Sequence, residues 1–357
     1  MSAERVISDD APQMQEATDT IAAPRMRDSM KAVSQDELGG PEVLKVVTVP
    51  TPKPGVSEVL VRVHAASVNP IDGVNRQTGV YVGRPPFVLG WDISGTVEAV
   101  GPGVTLYKLG DAVFGLLPFP QGHGAYAEFA VGPTRAFVRK PDRLDHEKAA
   151  AIPMVGLTAW QALVDTAHVG DGSRVLITGA AGGIGHLAVQ IAKARGAHVT
   201  ALASAANLDF VRSLGADEAI DYNGTDFREA VHDQDIVLDV VGGEYPAWAL
   251  DVLGPGGVPV SAQPSTLAPF AERAAGRGIR LAGIIVEADQ VGMSALADLA
   301  AAGRLVPTIA ATFPLEEVRA ASAAADLAAT GGRFPLEEGG AAESGKHGPG
   351  KVVLTVP

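Results

Sequence analysis

The chain has 357 residues, 46% hydrophobic and only 19% charged, which is enough apolar material for sizeable cores and more than one domain. Its 28 basic and 41 acidic residues leave a formal net charge of −13, which disfavours nucleic-acid and anionic-membrane partners. There is no cysteine, so disulfides and thiolate metal ligands are excluded; no apolar run reaches membrane-span length and no signal-peptide pattern opens the chain, so a cytoplasmic location is expected.

Residues 1–29 are polar and aperiodic and read as a flexible tail, with a segment folding over a partner or the active site as the alternative. From 30 to 153 short β-type runs alternate with Gly and Pro: LKVVTVP, EVLVRVHAASV, SGTVEAVG, DAVFGLL and AYAEFAV. They predict a compact, mostly β domain, interrupted between Val68 and Trp91 by a loop-rich stretch where binding groups usually sit. From 154 to 292 strands and helices alternate, beginning with the helical GLTAWQALVDTA and continuing through RVLITG, HLAVQIAKARG, HVTALAS, NLDFVRSLG, EAIDY, DIVLDVVGG and GGVPVSA. That alternation implies a doubly wound parallel sheet covered on both faces. Residues 293–357 add the helix SALADLAAAGRL, the strand PTIAATF, the helix LEEVRAASAAADLAA and a last strand, KVVLTV. The pentapeptide FPLEE occurs twice; Glu316 and Glu317 of the first copy suit the first turn of a helix. The second copy, Phe334–Glu338, runs into a glycine-rich stretch and reads as a loop insertion near 331–350, with a regulatory segment as the alternative.

The stretch Arg174–Gly196, RVLITGAAGGIGHLAVQIAKARG, combines an apolar strand, a turn with glycines at 179, 182, 183 and 185, and a helix with apolar residues at helical spacing. Such a turn admits a diphosphate close to backbone amides, and the helix dipole favours its charge. Dinucleotide binding is the expected function, and an ordinary glycine-tightened turn the alternative, because the spacing is GxxGxxG rather than GxGxxG. About 20 positions past the turn, where NAD-selective domains carry an acid, stand Ser204, Ala205, Ala206 and Asn207. With no carboxylate to repel a 2′-phosphate, NADPH is the expected cofactor.

GLTAWQAL, VLITGAAGGIG, the DVVGG strand end and the terminal GKVVL, with SVNPIDGVNRQTG, PPFVLGWDISGTVEAVG and ASAANLDFVRSLGADEAIDY, resemble the zinc-independent quinone oxidoreductases of the medium-chain dehydrogenase/reductase superfamily. The resemblance runs from Met30 to Pro357 and fails for the tail and the second FPLEE loop. It implies a GroES-like catalytic domain completed by the C-terminal segment, an inserted Rossmann domain, a cleft between them, and a homodimer. For the 2′-phosphate it implies Ser204 and Tyr222, while the expected Lys is Asn207; capping of the following helix by Ser204 and Asn207 is the alternative. It further implies cofactor contacts from Gly179, Ala181, Gly182, Gly183, Ile184 and Gly185 in the turn, Thr158, Val241, Gly242 with Gly243, Ser261, and Lys351, the last being otherwise a solvated charge at a strand start.

Zinc-dependent members hold their ion with Cys, a His from GHE and a second Cys. Here the corresponding phrases are NPID and GWD, so Asp72 stands near the first ligand position, Trp91 replaces the His, and no metal site is expected. The eight histidines form no close ligand-type pair in sequence and read as surface or locally bonded residues. Without a Lewis acid the acceptor must itself be electron-poor, as quinones and α,β-unsaturated carbonyls are. Catalytic candidates are Asn69, to orient nicotinamide or substrate; Tyr81, as proton donor or oxyanion partner; and Asp72, otherwise a turn residue bonded to its own backbone. Arg76 binds phosphate or pairs with an acid. The leading expectation is an NADPH-dependent reductase of quinones or enones. A dedicated biosynthetic enoyl reductase or redox-neutral cyclase, and a non-catalytic NADPH-binding sensor, are the alternatives.

Overall fold

A computed structural model describes residues 27–330 and 348–357. The expected tail therefore lies outside the described residues except at its C-terminal end, as do the second FPLEE and most of the glycine-rich stretch after it. The first part holds β1 (Ser29–Gln35), β2 (Lys45–Pro50), β3 (Glu58–Val68), α1 (Pro70–Thr78), β4 (Phe87–Val88), β5 (Asp92–Val100), β6 (Ala112–Leu116), β7 (Phe129–Pro133) and β8 (Phe137–Arg139). After α2 (His146–Ala150) and α3 (Pro153–Trp160), continued by a π-helical turn over Gln161–Thr166, come β9 (Arg174–Ile177), α4 (Gly185–Ala194), β10 (His198–Ala203), α5 (Leu208–Ser213), β11 (Glu218–Asp221), α6 (Phe227–Ala230), β12 (Gln234–Asp239), α7 (Tyr245–Val252), β13 (Leu253–Ser261), α8 (Ala271–Gly276) and β14 (Ala282–Gly283). The chain then adds α9 (Gln290–Ala301), β15 (Ile309–Pro314), α10 (Val318–Thr330) and β16 (Lys351–Thr355).

The middle strands form one parallel sheet in the order β11-β10-β9-β12-β13-β14. This is the doubly wound Rossmann order, whose strand order reverses beside β9, the place where ligands bind in such sheets. Val175, Leu176 and Ile177 are fully buried because helices cover both faces, which is why β9 reads as a continuous apolar run rather than an alternation. The second sheet runs β15-β16-β3-β5-β6-β8, with β7 also on β3, and a small sheet β2-β1-β4 lies apart from it. β16 pairs antiparallel with β3, Val352 opposite Val68, so the C-terminal strand returns to the sheet that the front of the chain began. Phe114, Phe137 and Trp91 fill the core of this part, continuous with the Rossmann core through α3. Among the described residues no helix is long and apolar enough to cross a membrane.

One segment departs from the sequence reading. The stretch after Val68 opens with a helix, α1, rather than a loop. Asn69 is its N-cap, Pro70 occupies the first helical position, the Asp72 carboxylate accepts the Asn69 N–H at 2.7 Å, and Gly79 closes it at φ 63°. Each of those is a helix boundary signal present in the sequence, masked by the Gly and Pro content around it. The first FPLEE behaves as expected, Glu316 and Glu317 lying in the helical turn that leads into α10.

Candidate active site

The glycine turn joins β9 to the ten-residue α4, whose His186 N–H is taken by Gly182 O and whose Leu187 and Ala188 N–H groups are taken by Ile184 O. Gly179 sits at φ 56°, a conformation open to glycine, and its carbonyl accepts the Gly182 N–H at 2.9 Å. Gly185 is where helix and turn cross: an added Cβ would lie 2.3 Å from Gly179 O and 2.6 Å from Ala180 Cα. Gly182 is different, since a Cβ there meets only Gly179 O, at 3.2 Å, and otherwise faces open space. A bare backbone at 182 beside the positive end of α4 suits a diphosphate. His186, fully buried, holds the turn from below: Nδ1 donates to Gly182 O at 2.9 Å and Nε2 accepts the Thr308 N–H at 3.1 Å. Burial lowers its pKa to about 4, so the ring is neutral.

At the end of β12 Asp239, which the sequence reading passed over, organises the loop carrying Val241 and Gly242. Its Oδ1 accepts the Thr178 hydroxyl and the N–H groups of Val241 and Gly242, and its Oδ2 accepts the Ser261 hydroxyl at 2.8 Å. Ser261 is thus buried with its hydroxyl turned to Asp239, while Val241 is exposed and Gly242 takes φ 78°. A carboxylate closing a strand before VVGG was the available signal. Ser204 and Asn207 each stand at a helix N-cap position, yet neither side chain caps; Asn207 Nδ2 instead donates to Ser204 Oγ at 3.2 Å. Tyr222 lines a shallow cavity of about 290 Å³ with Asn223, Arg228, Tyr245 and Trp248.

The second half of the site is a buried polar cluster at the N-terminus of α1. Asn69 Nδ2 donates to Asp92 Oδ2 at 2.9 Å, and its Oδ1 accepts from Lys351 Nζ, which also donates to Val68 O at 3.0 Å. Asp92 takes the Ser67 hydroxyl at 2.6 Å and, through Oδ1, the Met154 N–H at 2.8 Å, so it also holds the start of α3. On α3, Thr158 bonds back to Met154 O at 2.7 Å. Asp72 Oδ2 accepts the Tyr126 hydroxyl at 2.6 Å as well as the Asn69 N–H; its Oδ1 is buried without a partner among the described residues. Burial raises the Asp72 pKa to about 7, against the pull of those two hydrogen bonds. Burial likewise raises Asp92 and lowers Lys351, each drawn back by the other's charge.

The Lys351 side chain joins the two halves. Its head is in the Asn69 cluster, its Cδ would lie 3.3 Å from a Cβ added at Gly183, and the preceding Gly350 N–H donates to Ala181 O at 3.3 Å. It is 3% exposed, which sets aside the solvated-charge alternative. Tyr81 is 41% exposed and meets Phe119 edge-on at 5.4 Å; Phe119 in turn meets the buried Trp91 at 5.1 Å. Arg76 is fully buried and bound to Gly39 O, Ser322 and Asp326, so it ties α1 to α10. Of the histidines, His64 and His146 do pair, with ring centroids 4.5 Å apart, but their nitrogens meet the Thr96 and Ser94 hydroxyls. Among the described residues no group of three or more His, Cys, Asp or Glu is arranged to hold a metal.

Family models match two segments, the alcohol dehydrogenase GroES-like domain over 55–142 and a zinc-binding dehydrogenase model over 214–334. Human quinone oxidoreductase is 33% identical over 307 residues, covering 81% of this chain and 92% of that protein. The chain belongs to the quinone oxidoreductase-like medium-chain dehydrogenases/reductases. The structure of the quinone oxidoreductase from Coxiella burnetii agrees, at 34% identity and a TM-score of 0.82 over 92% of this chain and 100% of that one. Human mitochondrial NAD(P)H oxidoreductase RTN4IP1 is 40% identical over 220 residues, 55% of each chain. Several curated members of this family are matched over only 55% to 58% of their own length. Asp72 has its engaged oxygen on Asn69 and Tyr126, and the buried Trp91 indole carries only an N–H donor, which does not ligate a metal.

Proposed function

We propose that this chain is an NADPH-dependent oxidoreductase that delivers hydride, without zinc, to a quinone or an α,β-unsaturated carbonyl, and that it works as a homodimer. The nucleotide-binding part spans 154–292, set within a catalytic part made of 30–153 and 293–357. The observation that carries the reading is Lys351, whose stem lies against the glycine turn while its head bonds Asn69. One side chain thereby joins a diphosphate cradle to the polar cluster of the other part, which is where a cofactor and an acceptor have to meet.

In this reading Gly182, Gly183 and the first turn of α4 hold the diphosphate, and Ser204, Asn207 and Tyr222 surround the 2′-phosphate. Thr158, Val241 and Gly242 flank the nicotinamide. The bound cofactor supplies the hydride. Asn69 orients the acceptor and donates a hydrogen bond to the oxygen on which charge develops, a stabilisation that operates best in a buried, water-poor site. Tyr81, exposed beside Phe119, would give that oxygen a proton, and Asp72 sits one hydrogen bond from Asn69. A quinone or enone suits such a site because conjugation carries the incoming negative charge to oxygen without a Lewis acid.

The test is NADPH oxidation, followed by absorbance, across quinones, enones and enoyl thioesters, with and without chelator. Turnover with quinones or enones that survives chelation is expected. Turnover lost with chelation refutes the zinc-free chemistry, and inertness toward every acceptor refutes the enzymatic reading.

A further inference from the structure

Asn69 is committed at nearly every polar atom. Its N–H goes to Asp72, its Nδ2 to Asp92 and its Oδ1 to Lys351. These partners cannot exchange roles. Asp92 Oδ2 also takes the Ser67 hydroxyl and its Oδ1 the Met154 N–H, so both carboxylate oxygens act as acceptors. Lys351 donates to Val68 O beside Asn69, and an ammonium has only donors. Turning the amide over would set Nδ2 against the ammonium and Oδ1 against the carboxylate. Asn69, Asp92 and Lys351 are 1%, 0% and 3% exposed, so water cannot relieve such a mismatch.

We propose that Asp92 and Lys351 are positioning residues that lock the Asn69 amide in one orientation, leaving one Nδ2–H uncommitted, the single group Asn69 can offer an acceptor's oxygen once the acceptor displaces the groups that cover the amide. Asn69 is then a dedicated donor, matched to an oxygen that gains negative charge as hydride arrives, and its Oδ1 is withdrawn beneath the Lys351 ammonium. The inference rests on the hydride-transfer reading above, but the orientation itself does not depend on turnover. Asp92 matters because it has no route to the acceptor except through Asn69 and the start of α3.

The test uses the full chain with NADPH and a soluble benzoquinone, comparing Asp92→Asn, Lys351→Met and the double variant, each checked for a native melt. Lys351→Met keeps the stem beside Gly183. Each single variant should lower kcat by about 10²–10³-fold, the scale of losing one preorganised oxyanion donor, while in Asp92→Asn, which does not touch the glycine turn, the NADPH Kd stays within about 3-fold. Because both act through one amide, the double variant should fall no lower than the worse single variant. Losses that multiply, or an Asp92→Asn loss that appears only in the NADPH Kd, overturn the proposal. Should wild-type protein turn over no acceptor, the functional reading fails, and the orientation is still decided by NMR. The Asn69 side-chain amide protons, identified by their loss in Asn69→Ala, should be widely split and should collapse toward each other in Asp92→Asn; an unchanged splitting overturns the lock.

Discussion

Replacing Gly182 by Val tests the diphosphate cradle without dismantling it. An added Cβ at 182 has one neighbour, Gly179 O at 3.2 Å, so the turn must give by a few tenths of an ångström at most. The branched side chain then occupies the open space in front of the turn and holds a diphosphate off the amides. Losing two charge-assisted hydrogen bonds at about 1.5–3 kcal/mol each raises the NADPH Kd by roughly 10²–10⁴, while stability falls by about 1 kcal/mol. The contrast is Gly185→Val, where Cβ meets two backbone atoms inside 2.7 Å and the crossing of turn and helix has to open, so folding and binding fail together. Titration calorimetry with NADPH and a thermal melt separate the two outcomes. A Gly182→Val protein that binds NADPH within about 3-fold of wild type would refute the assignment of this turn.

A carboxylate at the end of β10 should invert nucleotide preference: Ser204→Asp should weaken NADPH by about 10–100-fold through like-charge repulsion near a 2′-phosphate and spare NADH, read from the two Kd values. His186 is held neutral, its folded pKa of about 4 lying below the ordinary 6.5. The stability it contributes is full above pH 6.5 and is lost as pH falls toward 4, by about 3 kcal/mol; in His186→Gln melts that acid-dependent component should vanish. Asp72 has the opposite sign, because burial lifts its pKa from 3.8 to about 7. Its contribution is full below pH 3.8 and lost as pH rises through 7, so Asp72→Asn should match wild type near pH 4 and melt higher at pH 8. Equal melts at pH 8 would show that the buried carboxyl carries no ionisation cost.

The Rossmann part was legible because β9 is apolar on both faces, four glycines follow it, and the helix after them keeps its period. Those are local properties of the chain, and the parallel sheet follows from covering both faces of each strand. Helix α1 was harder to read, since its cap, its proline and its closing glycine also look like loop punctuation, and only its packing against α10 through Arg76 distinguishes the two. The NPID and GWD phrases drew attention to Asn69, Asp72 and Trp91, but nothing local ties Asp92 to Met154 or Lys351 to Asn69 across 282 positions.

What the sequence by itself determined is what short spacing encodes: a glycine turn between an apolar strand and a helix, the absence of cysteine, and the lack of an acid after β10. What only the tertiary structure decided is which way the polar groups face. Asp239 turns to Ser261 and its own loop, Arg76 turns inward to α10, and Lys351 bridges to Asn69, because a buried polar atom bonds whatever partner the fold brings within about 3 Å. That partner is set by the pairing of β16 with β3 and by the packing of α3 and α10 on that sheet, contacts between segments far apart in the chain.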